Sequence, residues 1–298
     1  MTTRRPNDLQ GLLLYWLKLS AKRVLFWVKV VVLVVVALVV LILLLPAPEV
    51  RVGTFNIENY PRSEVQMVEA VEYLGALGVD IVGVQEITNP GVFREATAAI
   101  LGERWDVEFA DQCNARQKVG VVYDWTAVTL LEVQTHCDTA IHRGARATLE
   151  ARFQTNHLFW PRTVRVFVVH LKAGGGNEYT RRRQLDALWP LVQKARLSGD
   201  EVILLGDFNS TGLVDRVNLE AFSESLGLEW SSQGLGCTSY WDRYDRCQAS
   251  ALDHIFSSRR ARSIEARGPC KTLGCETRSS CPVYVDRISD HCPVTAVY

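Results

Sequence analysis

Residues 50–298 predict a single α/β domain, and the residues before it predict one membrane-crossing helix. Three observations carry this. Short apolar runs with strand-like alternation recur along residues 50–298, and segments with helical periodicity fall between several of them. Neither an internal repeat nor a linker breaks that series, so it reads as one domain. Ahead of it, Val30 to Leu45 is a run of sixteen residues without one polar side chain.

Extending that run back to Val24 gives twenty-two residues, 24–45, interrupted only by Lys29, whose ammonium can snorkel to the interface. Trp16 and Trp27 suit an interfacial aromatic belt. Residues 1–23 are a basic segment. Arg4, Arg5, Lys18, Lys22, Arg23 and Lys29 precede the apolar run, opposed only by Asp8. The positive-inside rule then predicts a cytoplasmic N-terminus and a folded domain on the far side of the plasma (inner) membrane, in a single-pass arrangement. A cleavable signal peptide has a shorter apolar core and an A-x-A site, which "LLLPAP" matches poorly. An uncleaved signal anchor is the better reading. Beyond the anchor 27 basic and 32 acidic side chains remain, a net of −5, so no general basic character advertises a nucleic-acid partner.

Eight cysteines follow the anchor, Cys113, Cys137, Cys237, Cys247, Cys270, Cys275, Cys281 and Cys292. An even number in an exported domain predicts disulfides. Cys113 with Cys137 and Cys237 with Cys247 are candidate local pairs, while spacing alone leaves the full connectivity open. The last four could instead hold zinc, but their spacing does not match the usual paired knuckles.

Element by element, residues 46–49 form a short linker, and "VRVGTFNIEN" gives a strand from Val50 to about Asn56. Ser63-Glu64-Val65-Gln66 is a capping-box signature that opens a helix to about Leu77. "VDIVGVQEI" is a buried strand ending near Gln85, and a helix covers about Gly91 to Leu101. From Trp105 to Leu171 the chain is β-rich, with "WDVEFA", "KVGVVYDW", "VTLLEVQT", "ARATLEARF" and "TVRVFVVHLK". "GGGNEY" leads into a helix over about Tyr179–Ala195, with Leu185, Leu188 and Val192 on one face. "EVILLGDFNS" and "ALDHIF" are further strands, and "CPVTAVY" closes the domain after an irregular cysteine-rich stretch.

The strand ends carry the chemistry. Asn56 closes "TFNIEN", Glu86 sits in "VQEI", His170 in "VVHLKAG", and Asp207 and Asn209 in "GDFNS". Asp253 opens the "LDHIF" strand, and Asp290 with His291 immediately precedes the final one. Singly, each has a bland explanation as a turn, cap or core residue. Together they bring carboxylates, carboxamides and two histidines to strand–loop junctions, the residue types needed to cleave a phosphate ester. Hard oxygen donors suit Mg²⁺ or Mn²⁺ better than zinc. Histidine moves protons near neutral pH, and asparagine donates to phosphate without adding negative charge.

In the order and spacing of "TFNIEN", "VQEI", "HLKAG", "GDFNS", "LDHIF" and "SDHCPV", the chain resembles the endonuclease/exonuclease/phosphatase superfamily of DNase I-like phosphoesterases. That resemblance implies a four-layer α/β sandwich, with two facing, mainly antiparallel sheets, outer helices and a site at one end of the sheets. It implies Glu86 as principal metal ligand, Asn56 on metal or phosphate, and Asp290 joining the metal shell. Asp207 and Asn209 would orient the attacking water and the phosphate, His291 paired with Asp253 would be the base, and His170 would contact the phosphate. DNase I-like members give the last histidine a carboxylate partner, where this chain offers Gln117 and Lys118. His254 should face the other way along its strand.

The function expected is therefore a divalent-metal-dependent phosphodiester hydrolase, foremost a membrane-anchored nuclease. A lipid-headgroup or inositol phosphate phosphoesterase is the alternative within the same chemistry. A catalytically silent binding domain is disfavoured because Glu86, Asp207, Asn209, Asp253 and His291 are all present. "CTSYWDRYDRC", Cys237 to Cys247, ends six residues before Asp253. Trp241 and Arg243 within it are candidate substrate contacts, against a plain reading of the segment as a stapled loop.

Overall fold

A computed structural model describes residues 7–44, 48–111, 113, 115–142, 144–243 and 246–298. The chain divides after Ala47 into two units. The first contains helix α1, Asn7–Leu43, of which Leu12–Leu43 is long and apolar enough to cross a membrane. Leu45, the expected end of the span, lies outside the described residues, as do Pro46 and Ala47 of the linker.

In the folded unit, β1 (Arg51–Tyr60), β2 (Ile81–Ile87), β3 (Trp105–Phe109) and β4 (Lys118–Asp124) are joined by helices α2 (Glu64–Gly75) and α3 (Pro90–Leu101). Next come β5 (Val128–His136), β6 (Thr148–Thr155), β7 (Thr163–His170), α4 (Glu178–Leu197), β8 (Glu201–Asp207) and α5 (Leu213–Leu226). The last part holds β9 (Glu229–Trp230), β10 (Ser239–Arg243), β11 (Arg246–Ser250), β12 (Asp253–Ser257) and β13 (Ser263–Ala266). Short helices α6 (Pro269–Thr272) and α7 (Val283–Arg287) lead to β14 (Val294–Val297). One six-stranded sheet has the order β13-β14-β1-β2-β4-β3 and the other β5-β6-β7-β8-β12-β9. Among the described residues only β1–β2 and β7–β8 pair in parallel.

Three apolar clusters make the layers. Val52, Ile81 and Val121 of the first sheet meet Leu149, Val166 and Leu205 of the second. The outer face of the first sheet packs on α2 and α3 through Ala70, Leu74 and Phe93. The outer face of the second packs on α4 and α5 through Leu188, Val192, Leu219 and Phe222. The result is the expected α/β/β/α sandwich. Gly83 lets the sheets approach, since a Cβ there would lie 2.2 Å from Leu205 of the facing sheet.

Local chemistry explains most element boundaries. Ser63 caps α2 by accepting the Gln66 amide, while the Gln66 side chain accepts the Arg62 amide instead of closing the reciprocal capping box. Asn89 caps α3, with Pro90 in its first turn. Helix α5 was absent from the sequence expectation. Its N-cap, Gly212, makes no side-chain cap bond, so no start signal stands out, although Leu219, Phe222 and Leu226 do fall on one helical face.

The cysteines pair as Cys113–Cys137, Cys237–Cys275, Cys247–Cys281 and Cys270–Cys292. The first matches expectation. The expected Cys237–Cys247 pair does not form, and the zinc alternative falls with it, because all four of its cysteines are used. The β10–β11 register explains why: Cys247 sits opposite Asp242, placing it about 17 Å along the ladder from Cys237. A disulfide needs Cα atoms within about 7 Å.

Candidate active site

Strands that end together deliver the site. Glu86 lies where β2 shifts register against β4, between Val84 and Ile87. A bulge of this kind re-aims a side chain, and Glu86 takes a positive φ of 62°. Glu58, Asn59 and Asn209 share that unusual backbone, and among the described residues these four are the only non-glycines that do. All four adjoin the site. Strain of this sort persists where surrounding structure over-determines it. Gly206, before Asp207, has φ 147°, and a Cβ there would lie 2.0 Å from the Val169 carbonyl. The glycine of "GDFNS" is therefore sterically required.

The carboxylates are held in a hydrogen-bonded frame. Glu86 Oε2 accepts from the Asn59 amide at 3.1 Å and from Gln117 Nε2 at 2.7 Å. Asn56, fully buried, donates from Nδ2 to Asp207 Oδ2 at 3.0 Å and to Glu86 Oε1 at 3.4 Å. Its Oδ1 accepts the Glu58 amide at 3.0 Å. Asn56 thus ties the two carboxylates together. Asp207 also accepts from the Asn209 amide at 2.8 Å and from Asn209 Nδ2 at 3.1 Å.

Two histidines converge on Asp207. His170 Nε2 stands 3.3 Å from Asp207 Oδ2 and 3.7 Å from Glu86 Oε1. His291 Nε2 stands 3.9 Å from the same Asp207 oxygen, and its Nδ1 is 2.7 Å from Asp253 Oδ2. Thr238 Oγ1 donates to that Asp253 oxygen at 2.7 Å. Ser289 ties the loop in place, donating to the Asn56 carbonyl at 2.7 Å and accepting the His291 amide at 3.0 Å.

Charge and burial set the protonation states. Burial opposes ionisation of Asp207, but the charge of His291 and the His170 hydrogen bond outweigh it and hold the carboxyl well below the usual range. Asp253 is pushed up to about 6, by burial first and then by Asp207, against the lowering pull of His291. Burial lowers His170, and the nearby Arg146 charge adds to this. Burial also opposes charge on His291, yet Asp253, Asp290 and Asp207 together raise it well above ordinary imidazole. Asp290 is raised by burial and by Glu86 and Asp207.

A divalent cation fits this donor set. Asp290 Oδ1 and Asp253 Oδ1 are buried without a hydrogen-bond partner among the described residues, and burial, with the charges of Glu86 and Asp207, raises Asp290. Asp207, Asp253 and His291 also offer ligand atoms within 4.8 Å of one another. Oxygen-rich sites of this kind suit hard cations.

All eight catalytic and metal candidates converge on this end of the sheets. The segment holding Gln117 and Lys118 gives His170 no carboxylate: Gln117 bonds Glu86, and His170 Nδ1 has no partner among the described residues, so its carboxylate contacts, Asp207 and Glu86, both fall at Nε2. His254 faces away as expected, with Nε2 2.7 Å from Ser210 Oγ and Nδ1 3.3 Å from Ser232 Oγ. Burial pushes it down to about 3, so it stays neutral. Trp241 is partly exposed on the β10–β11 hairpin and donates to Ser250 Oγ at 3.1 Å. That hairpin starts at the site, since Ser239 bridges to His291 and the Tyr240 amide donates to the Asp290 carbonyl. Arg243 ends β10, and its side chain lies outside the described residues. Sequence reasoning missed Arg146, which donates to Gln117 and acts on Glu86, Asp207 and His170. Nothing distinguished it among the arginines of "HRGARAT". It also assigned no role to Thr238 and Ser289, although both lie within motifs already singled out, "CTSYWDRYDRC" and "SDHCPV".

A two-sheet sandwich with carboxylates and histidines gathered at one strand end defines a phosphoesterase fold. The model of the endonuclease/exonuclease/phosphatase family matches residues 53–291, and the chain belongs to that family. No curated protein matches. Among solved structures, Danio rerio TDP2 in complex with a single-stranded DNA product has a TM-score of 0.62 at 15% identity, covering 84% of this chain and 98% of that one. An endonuclease/exonuclease/phosphatase protein from Bacteroides vulgatus gives 0.63 at 18% identity, over 84% and 98%. The human Nocturnin catalytic domain with bound sulfate gives 0.59 at 17%, over 84% and 93%. At such identities the likeness speaks for the fold alone.

Proposed function

We propose that the chain is a divalent-metal-dependent phosphodiester hydrolase, a nuclease anchored in the plasma (inner) membrane with its catalytic domain outside the cytoplasm. The observation that carries this is the convergence of His170, His291 and Asn56 on one buried carboxylate, Asp207, beside Glu86 and the under-satisfied Asp290. The DNA product held by the zebrafish TDP2 structure supports nucleic acid as the substrate class.

Glu86 and Asp290 would hold Mg²⁺ or Mn²⁺, which supplies charge neutralisation at the phosphate and the leaving oxygen and relieves the carboxylate field around His291. Asp253 fixes His291 through Nδ1 and leaves Nε2 to take the proton of the attacking water. Asp207, kept anionic, orients that water together with Asn209. His170 and Arg146 steady the negative charge that builds on the phosphate as the water oxygen bonds to phosphorus and the bond from phosphorus to the leaving oxygen breaks.

The test is hydrolysis by the purified full chain, with Mg²⁺ and then Mn²⁺. The substrates are single- and double-stranded DNA, RNA, sphingomyelin and inositol phosphates. Oligonucleotide cleavage is expected. Turnover of the lipid or the inositol phosphates alone would replace the nuclease reading by the headgroup one.

A further inference from the structure

The end of the domain opposite the catalytic strand ends carries an apolar patch. The β6–β7 connection exposes Leu158, Phe159 and Trp160 at 84%, 43% and 38%, and Trp125 in the β4–β5 turn at 53%. The two turns touch: Asn156 donates from its amide to the Ala127 carbonyl and from Nδ2 to the Trp125 carbonyl, both at 2.8 Å. Arg162, at the foot of the same hairpin, donates from Nη1 to the Pro48 carbonyl at 2.6 Å and pairs with Glu201 through Nη2. The patch therefore adjoins the first residue of the folded unit.

We propose that this patch docks on the lipid surface, seating the domain on the bilayer with its catalytic end turned away. The proposal rests on reading α1 as a membrane span and deepens the nuclease reading. Helix α1 ends at Leu43 and the folded unit starts at Pro48. Five residue steps reach at most about 18 Å, so the bilayer is the one surface the tether always keeps within range of Pro48. Single exposed apolar side chains are unremarkable on a soluble surface, but a contiguous group marks an interaction site. Trp and Phe side chains favour the headgroup boundary of a bilayer.

The orientation follows from the strands. β7 runs from Thr163 at the patch to His170 in the site, and β1 from Arg51 beside Pro48 to Asn56. Seven steps along β7 separate the two ends by about 23 Å. A docked patch would thus present the site to the aqueous phase, where a polynucleotide can reach it and a headgroup of the host bilayer cannot.

The experiment places the full chain in nanodiscs of phosphatidylethanolamine and phosphatidylglycerol, either plain or brominated on the acyl carbons nearest the headgroup. Emission from Trp160 is taken as the difference between the parent chain and Trp160→Phe. Brominated lipid should remove most of that emission, and a Trp125→Ser/Leu158→Ser/Phe159→Ser variant should recover it. Equal Trp160 emission in plain and brominated nanodiscs overturns the docking. So does quenching that appears only when two chains share a disc, which would make the patch a chain–chain contact. Hydrolysis of the phosphatidylethanolamine or phosphatidylglycerol headgroups of the disc that holds the chain overturns the orientation. The fluorescence needs no substrate, so a quenched but inactive chain would count against the nuclease reading alone.

Discussion

Each candidate catalytic side chain is held in place by hydrogen bonds from its neighbours. Asn56 restrains Glu86 and Asp207 together, Thr238 and His291 share one oxygen of Asp253, and Ser289 fixes the His291 amide. Removing a frame residue and removing a working residue should therefore read differently. Chelation by EDTA is expected to abolish turnover, with Mg²⁺ or Mn²⁺ restoring it. Glu86→Gln should raise the metal concentration needed for half-maximal activity. His291→Ala should lower turnover by about 10²–10⁴-fold, the usual contribution of a general base, with little change in that metal requirement. Titration of activity against metal, run on both variants, separates the two roles. A His291→Ala chain with near-normal turnover would remove it from the base position.

Between residue and fold stand the elements that aim these groups. Arg181 of α4 is buried and bidentate to Asp215 of α5, with Nε and Nη2 each at 2.7 Å. It also donates from Nη1 to the Lys172 and Gly174 carbonyls, tying down the segment after His170. Arg181→Ala would leave a buried carboxylate uncompensated, at a cost of about 3–5 kcal/mol. Denaturant unfolding should register it, and Arg181→Met/Asp215→Leu should recover most of the loss by removing both charges. The β10–β11 hairpin acts on substrate reach instead. Trp241→Ala should slow cleavage of a long oligonucleotide by about tenfold, in the range of one lost base stack, and leave a small chromogenic phosphodiester nearly unaffected. Equal losses on both substrates would point to misfolding. The same elements show what could be read in the sequence. Strand ends were legible because an apolar run meets a polar residue there, at Asn56, Glu86, His170 and Asp207 where strands close and at Asp253 where one opens. Helix α5 escaped because Gly212 gives no capping signal, and the later disulfides because they depend on where β10, β11 and the 270–292 segment pack. Arg146 was illegible for the same reason: its value comes from Glu86 and Asp207, which are distant in sequence.

At the scale of the whole molecule, the strands give the folded unit two chemically distinct ends. One gathers the acidic site, and the other holds Pro48, the first residue of the folded unit. Orientation across the membrane then decides which compartment the site serves. Two independent features argue for the outside. Six basic residues against one acidic residue precede the end of the apolar run, and a charge bias of this sign favours a cytoplasmic N-terminus. All eight cysteines of the chain lie beyond that run and are paired, with none free, and such pairing persists in an oxidising compartment. Protease added to intact spheroplasts should therefore digest the folded unit without lysis. A thiol-reactive mass tag should leave the chain unshifted until reductant is supplied. Protection of the unit until lysis, together with tagging before reduction, would place the site in the cytoplasm and reverse the topology.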